Sequence, residues 1–426
     1  MTRAFPPWLR CGCALVLSAV GPATLATGPE LTRGEPAAAG FSPVRLERLH
    51  GFMQQVTESG KYLGAVTLVA RHGQVIDWRA YGYRDLAKTS PMQPDSIFRL
   101  YSMTKTITSV AVLLLMEEGR FSLEESIAKF LPEFATMQVF AGGTAEAPVL
   151  RPADRPITIH QLLTHTAGFA CDGPAGSEAV KLYKRAELHE ARDLAEFSAT
   201  LSRLPLATEP GEAYAYGVSL DVLGRLVEVV SGLPFETFLQ QRIFAPLGMT
   251  DTGFAVPAAK RGRIADLCTT GPDGALVRAR GRTANQPGER MNNYCSGAGG
   301  LYSTAVDYFR FAQMLLDGGQ SGDTTLLSRK TVELMMVNHL AYLGPRISGL
   351  SKGDGFGLGG RVLVDVAGRG LLGSPGQFGW SGAGSTYYTV DPGENLVALL
   401  LMQHVPQDPH KVSGKFYNLV YQSLAR

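Results

Sequence analysis

Apolar and polar positions change period along this chain, and each period predicts a different element. Residues 41–58 carry apolar positions at helical spacing and predict a helix. Two strand-like runs follow at 63–70 and 74–82, with Arg71-His72-Gly73 between them as a hairpin turn. From 102 to 340 the pattern is mainly helical with long loops, and no internal repeat interrupts it. Strand-like runs return at 359–366, 377–381, 385–390 and 396–403, and the segment 409–425 reads as a helix. Strands at both ends enclosing a helical middle place the two ends in one sheet. The expected class is α+β, an antiparallel sheet flanked by helices. Its sheet domain takes residues 27–101 and 341–426, with a mainly helical domain inserted over 102–340 and an active site between them.

One stretch at the start of the helical region carries chemistry. Ser102-Met103-Thr104-Lys105 precedes a long apolar run that closes at Glu117-Glu118-Gly119, as a buried helix with a glycine stop does. Residues three apart on a helix are neighbours, so Lys105 is expected beside the Ser102 hydroxyl. The positive end of the helix suits a developing oxyanion. The spelling alone is weak, because Ser126-Ile127-Ala128-Lys129 repeats it in a short amphipathic turn ending at Pro132.

Two further elements supply partners. In Tyr214-Ala215-Tyr216-Gly217-Val218, Tyr216 stands just before a helix expected over 220–230, where its hydroxyl can face a cleft or the ring can simply fill the core. In Gly379-Trp380-Ser381-Gly382-Ala383-Gly384, small residues around a tryptophan on a strand indicate a close backbone approach or a tight bend. Together and in this order, the three elements resemble the serine β-lactamase and penicillin-binding-protein superfamily. They are most similar to the esterases related to class C β-lactamases, the family VIII carboxylesterases. The resemblance runs from residue 40 to the C-terminus, with supporting blocks at 162–168, 246–252 and 296–301.

The resemblance implies a β-lactamase/transpeptidase-like fold and an acyl-enzyme on Ser102. Lys105 and Tyr216 would share the base, and the Ser102 and Ala383 backbone N–H groups would form the oxyanion hole. Tyr101, Trp380, Ser381 and Gly382 are candidate substrate contacts, although Tyr101 and Trp380 could equally be core. No cofactor or metal is implied. Where the family has Tyr-x-Asn, this chain has Tyr216-Gly217-Val218, and where it has Lys-Thr-Gly, this chain has Trp380-Ser381-Gly382. The first change removes an amide that would hold a β-lactam side chain, and the second removes a cation for the drug's carboxylate. Both point to a neutral small-molecule ester rather than a penicillin, with short acyl chains expected. The alternatives on the same scaffold are a β-lactamase or D-amino-acid peptidase/amidase, and an acyltransferase. A catalytically silent binding protein is disfavoured by the complete Ser102, Lys105 and Tyr216.

Composition narrows the setting. Residues 1–26 read as an export signal, with Arg3 and Arg10 before the apolar run 11–20 and Thr24-Leu25-Ala26 as the cleavage site. The run is too short for a stable membrane anchor, and a periplasmic or secreted product is expected. Removing Arg3 and Arg10 takes the formal charge from +2 to zero, which argues against a nucleic-acid partner. Cys171, Cys268 and Cys295 then remain, enough for one disulfide whose pairing is open and in a spacing that matches no zinc site. Oligomeric state is not legible. Gly349-Leu350-Ser351-Lys352-Gly353 spells a hydrolase elbow but is followed by glycines that cannot open a helix, and Gly355–Gly360 spells a phosphate loop with a strand after it. His165 is read as a structural hydrogen-bonding residue rather than a base, and the loop 136–155 as a border of the cleft.

Overall fold

The computed structural model describes residues 31–170, 177–346 and 349–425, so the proposed export signal and Cys171 lie outside the described residues. The first helix, α1 (Pro43–Glu58), starts where the sequence dictates. The Ser42 hydroxyl accepts from the Arg45 N–H, and Pro43 occupies the first turn, where its missing N–H costs nothing. Strands β1 (Gly64–Arg71) and β2 (Gln74–Gly82) form the expected hairpin. His72 and Gly73 both hold positive φ (53° and 73°), as a two-residue turn matching the strand twist requires.

The remaining strands of this sheet come from the far end of the chain: β3 (Asp354–Phe356), β4 (Arg361–Leu363), β5 (Phe378–Gly382), β6 (Thr386–Asp391) and β7 (Leu396–Leu401). The spatial order is β3-β4-β5-β6-β7-β1-β2, antiparallel throughout, so β7 sits between β6 and β1. Only 361–363 of the expected strand 359–366 pairs. Beyond Leu363 the Val364 and Asp365 N–H groups both donate to the Gly353 carbonyl, which bends the chain out of the sheet.

Every residue of β7 is buried, because both of its faces are covered. Val397, Leu399 and Leu401 enter the large core on the helical side. Leu396, Ala398 and Leu400 enter a smaller core with α1 and the C-terminal helix α5 (Val412–Gln422). On the helical side stand α2 (Thr104–Glu117), α3 (Ser219–Ser231) and α4 (Ala305–Leu316), with α4 laid across β1, β6 and β7. Residues 104–115 of α2 are all buried, which fixes the position of whatever stands at its N-terminus. The middle of the chain also holds small hairpins, one of them Gln138–Gly143 with Pro148–Pro152.

Asp307, in the first turn of α4, accepts hydrogen bonds from the Asp251 N–H (2.7 Å) and the Thr252 hydroxyl (3.0 Å). Burial pushes its carboxyl up to about 6. A carboxyl raised on folding stabilises the fold fully below its unfolded value and loses that contribution as pH rises through 6. The loss is on the order of 3 kcal/mol. The melting temperature of the wild-type protein, relative to Asp307→Asn, is therefore expected to fall between pH 4 and pH 7. A pH-independent difference would contradict the assignment.

Candidate active site

Ser102 stands in a short 3₁₀ turn, Tyr101–Met103, that runs directly into α2. Tyr101, just before it, holds a left-handed φ of 47°. A non-glycine residue in that region costs about 1–3 kcal/mol and persists only where its surroundings impose it. The surroundings here are β5 and β6. A Cβ on Gly382 would lie 2.1 Å from the Leu100 carbonyl oxygen, and one on Gly384 would lie 2.9 Å from the Tyr101 ring. The Thr386 hydroxyl donates to the same Leu100 carbonyl (3.2 Å). The glycines around Trp380 thus serve a close backbone approach, and what approaches is the turn that carries Ser102.

Lys105, one turn along, is buried; its Nζ lies 3.1 Å from Ser102 Oγ and donates to the Ala298 carbonyl at 2.8 Å. The same Nζ stands 4.5 Å from the centre of the Tyr216 ring, over its face. Tyr216 is held by the loop before α3, where Ala215 N–H donates to the His165 carbonyl and Gly211 N–H to the Thr166 carbonyl. Its hydroxyl accepts from the Trp380 indole N–H at 3.0 Å, with the two rings 5.3 Å apart. Ser102, Lys105, Tyr216 and Trp380 therefore form one cluster. Tyr216 presents its ring to the lysine and its hydroxyl to the indole. Ala383 follows β5 directly, and Ser381 alternates onto the strand face away from Trp380, beside Tyr387.

A cavity of about 710 Å³ opens on Ser102, Lys105 and Tyr216. Tyr101 lines it, and Lys184, His189 and Asn292 contribute walls from the helical region. The loop 136–155 does not line it: the segment folds into the hairpin at 138–152, and the residues that border the cleft come from 183–190 and 283–299. Among the described residues no group of three or more His, Cys, Asp and Glu is arranged to hold a metal ion.

The beta-lactamase family model matches residues 49–421, nearly the whole described chain. The chain belongs to the beta-lactamase family. Among curated relatives, the esterase EstB of Burkholderia gladioli is 30% identical over 375 residues, spanning 83% of this chain and 89% of its own length. The lovastatin esterase of Penicillium rubens is 34% identical over 67% of this chain and 71% of its own. Among solved structures, simvastatin synthase (LovD) from Aspergillus terreus superposes with a TM-score of 0.76 at 27% identity, covering 88% of this chain and 98% of that one. Esterase-named relatives on this fold make the chain a hydrolase of the serine β-lactamase type.

Within this beta-lactamase-family site, one residue had no reading from sequence. Asp221, in the first turn of α3, is fully buried; its Oδ1 accepts from the Ser296 hydroxyl (2.7 Å) and from the Ala298 N–H (3.1 Å). It thereby fixes the turn whose carbonyl holds Lys105. Burial raises its pKa, while the hydrogen bond from Ser296 opposes the rise. An acid inside the apolar stretch Leu220-Asp221-Val222-Leu223 was the available signal. Asp221→Ala is expected to lower kcat on a cleaved ester by about 10- to 100-fold, because the Ala298 carbonyl loses its anchor, while Asp221→Asn keeps the acceptor and loses less. Equal losses in the two variants would show that the charge, not the turn, matters.

His165 departs from expectation. Its backbone carbonyl does hold the Tyr216 loop, but both ring nitrogens are buried without a hydrogen-bond partner among the described residues. The ring packs against Tyr216 instead, tilted by 50° with 4.7 Å between centres. Burial and then the Lys105 charge hold it well below the usual imidazole range, so it is neutral.

The remaining motif matches fall away in three dimensions. Ser126 caps a 3₁₀ turn through the Ala128 N–H, and Lys129 pairs with Glu125 at the surface. Ser351 is followed by β3 rather than by a helix, and 355–360 leads into β4. Cys268 and Cys295 are free thiols, each pushed up to about 12 by burial.

Proposed function

We propose that this chain is a serine carboxylesterase that works through an acyl-enzyme on Ser102. The observation that carries the reading is the 3.1 Å contact between Lys105 Nζ and Ser102 Oγ at the floor of an open cavity. Lys105 accepts the Ser102 proton while Oγ bonds to the ester carbonyl carbon. The oxyanion so formed is met by the Ser102 and Ala383 N–H groups. Tyr216 gives its hydroxyl proton to the leaving alkoxide, and the proton taken up by Lys105 replaces it. Water then adds to the acyl carbon with the same groups as base, and Ser102 leaves with its proton restored. Support for ester over β-lactam substrates comes from Trp380. Its N–H is engaged with Tyr216, where the superfamily pattern places a cation.

A cleft of this volume admits an acid or alcohol larger than a short acyl chain. The acyltransferase reading has its own support in the likeness to simvastatin synthase, and it differs only in whether water or an alcohol takes the acyl group. The sequence before residue 27 supports export, and no helix among the described residues is long and apolar enough to cross a membrane.

The test is turnover of p-nitrophenyl butyrate and nitrocefin by the mature protein. Rapid ester cleavage with little nitrocefin opening is expected. Strong nitrocefin turnover would move the chain to the β-lactam side. A rate of nitrophenol release raised by added alcohol, with new ester as product, would establish acyl transfer.

A further inference from the structure

A second cavity, about 400 Å³, opens against β5 on the far side of the catalytic cluster. Strand β5 at Trp380–Ser381 forms one wall, Tyr417 and Leu371 the apolar sides, and Arg361 and Arg369 the polar end. The two guanidinium groups share a single carboxylate. Arg369 forms an ion pair with Asp354, which is 2% exposed, while Arg361 stands 3.6 Å from the other oxygen of that carboxylate. That oxygen is buried and accepts no hydrogen bond. Arg361 is itself only 15% exposed, and among the described residues its guanidinium makes no hydrogen bond. The cluster thus carries one positive charge in excess and a planar fork of donors facing the cavity. Burial and the neighbouring Arg369 make that charge harder to hold, so an anion is what the place lacks.

We propose that this cavity is a carboxylate subsite, in which Arg361 and Arg369 take the free acid end of an ester whose reacting carbonyl lies at Ser102. The inference rests on the esterase reading and adds the substrate class, a half-ester of a dicarboxylic acid. A guanidinium fork matches a carboxylate edge to edge, and the aromatic and aliphatic walls suit a hydrocarbon chain better than a hydrated polyanion. Between the two sites β5 has a free edge. Strand β4 pairs with β5 only at Val362–Phe378 and Arg361–Gly379, so Trp380–Gly382 has no β4 partner. From Ala383 at the proposed oxyanion position to Gly379 opposite Arg361 is four residues of strand, about 13 Å.

The experiment compares mono-p-nitrophenyl sebacate with p-nitrophenyl decanoate, which has the same chain length but ends in a methyl group. For the wild-type protein kcat/KM is expected to favour the sebacate by about tenfold or more. In Arg361→Gln the ratio should fall to near one, and Arg361→Lys, which keeps the charge without the fork, should fall between. The ratio within each variant cancels general damage, and a cooperative melt of each confirms folding. In parallel, sodium hexanoate is titrated calorimetrically into wild-type and Arg361→Gln protein. Arg361-dependent hexanoate binding without any sebacate preference would overturn the substrate assignment, since the carboxylate would then be a separate acid. No Arg361-dependent effect in either assay would overturn the site. If neither p-nitrophenyl ester nor the butyrate is cleaved, the esterase reading fails, while the hexanoate titration still decides on the subsite.

Discussion

Ser102→Ala is expected to lower kcat/KM for p-nitrophenyl butyrate by about 10⁴- to 10⁶-fold, and Lys105→Ala by a comparable factor, with the double variant no worse than either single one. The reason is that the two groups act as one unit. An unassisted hydroxyl is a poor nucleophile, and an amine 3.1 Å from Oγ has nothing to deprotonate once that oxygen is gone. Residual activity over water would come from the Ser102 and Ala383 N–H groups and from the cavity, which survive both changes. Burst kinetics check the same point: wild type should release a rapid equivalent of nitrophenol as the acyl-enzyme accumulates, and neither variant should. Multiplicative losses in the double variant would mean that Lys105 serves something other than Ser102. The Lys105 side chain is buried against Ala298, so melting curves must accompany the kinetics. Lys105→Met, of similar length, separates loss of the amine from loss of packing.

Tyr216→Phe is expected to cost about 10²- to 10⁴-fold in kcat, the range of a positioned proton-transfer group. Trp380→Phe should cost less, and in combination with Tyr216→Phe should add almost nothing. The indole N–H acts on the tyrosine oxygen: as a donor at 3.0 Å it orients the hydroxyl. Phenylalanine at 216 removes the acceptor, after which the indole has nothing to act on there. Both changes keep two aromatic rings in contact, so KM should move less than kcat. Multiplicative effects would instead place Trp380 against the substrate. A KM increase confined to Trp380→Phe would say the same.

Much of this arrangement was readable in the chain, for identifiable reasons. The β1–β2 hairpin was legible because two β-rich runs and the two-residue turn between them are local properties. So was the serine–lysine pair, since spacing on one helix fixes their separation. Tyr216 and Trp380 were legible as elements but not in their contact, because the hydrogen bond joins residues 164 positions apart. Asp221 was missed for the same reason, as its partners lie 75 and 77 positions away. The segment 136–155 was assigned to the cleft from composition, but its backbone found partners in its own hairpin. At 364–366 a β-rich spelling lost to two hydrogen bonds on one glycine carbonyl.

The place of β7 between β6 and β1 governs how the protein is made. Strand β1 meets its outer partner β2 within a few residues of chain, but its inner partner is paired in the register Val66↔Leu401, more than 300 residues later. During synthesis the early hairpin therefore waits, with a bare and mostly apolar β1 edge, until residue 401 has emerged. The serine turn waits with it, because the glycines and threonine that press Tyr101 into its left-handed conformation lie at 382–386. A ribosome stalled before that point carries a chain with no nucleophile in place and an adhesive strand exposed. Hydrolytic activity and resistance to self-association thus arrive together, once residues 382–401 have emerged.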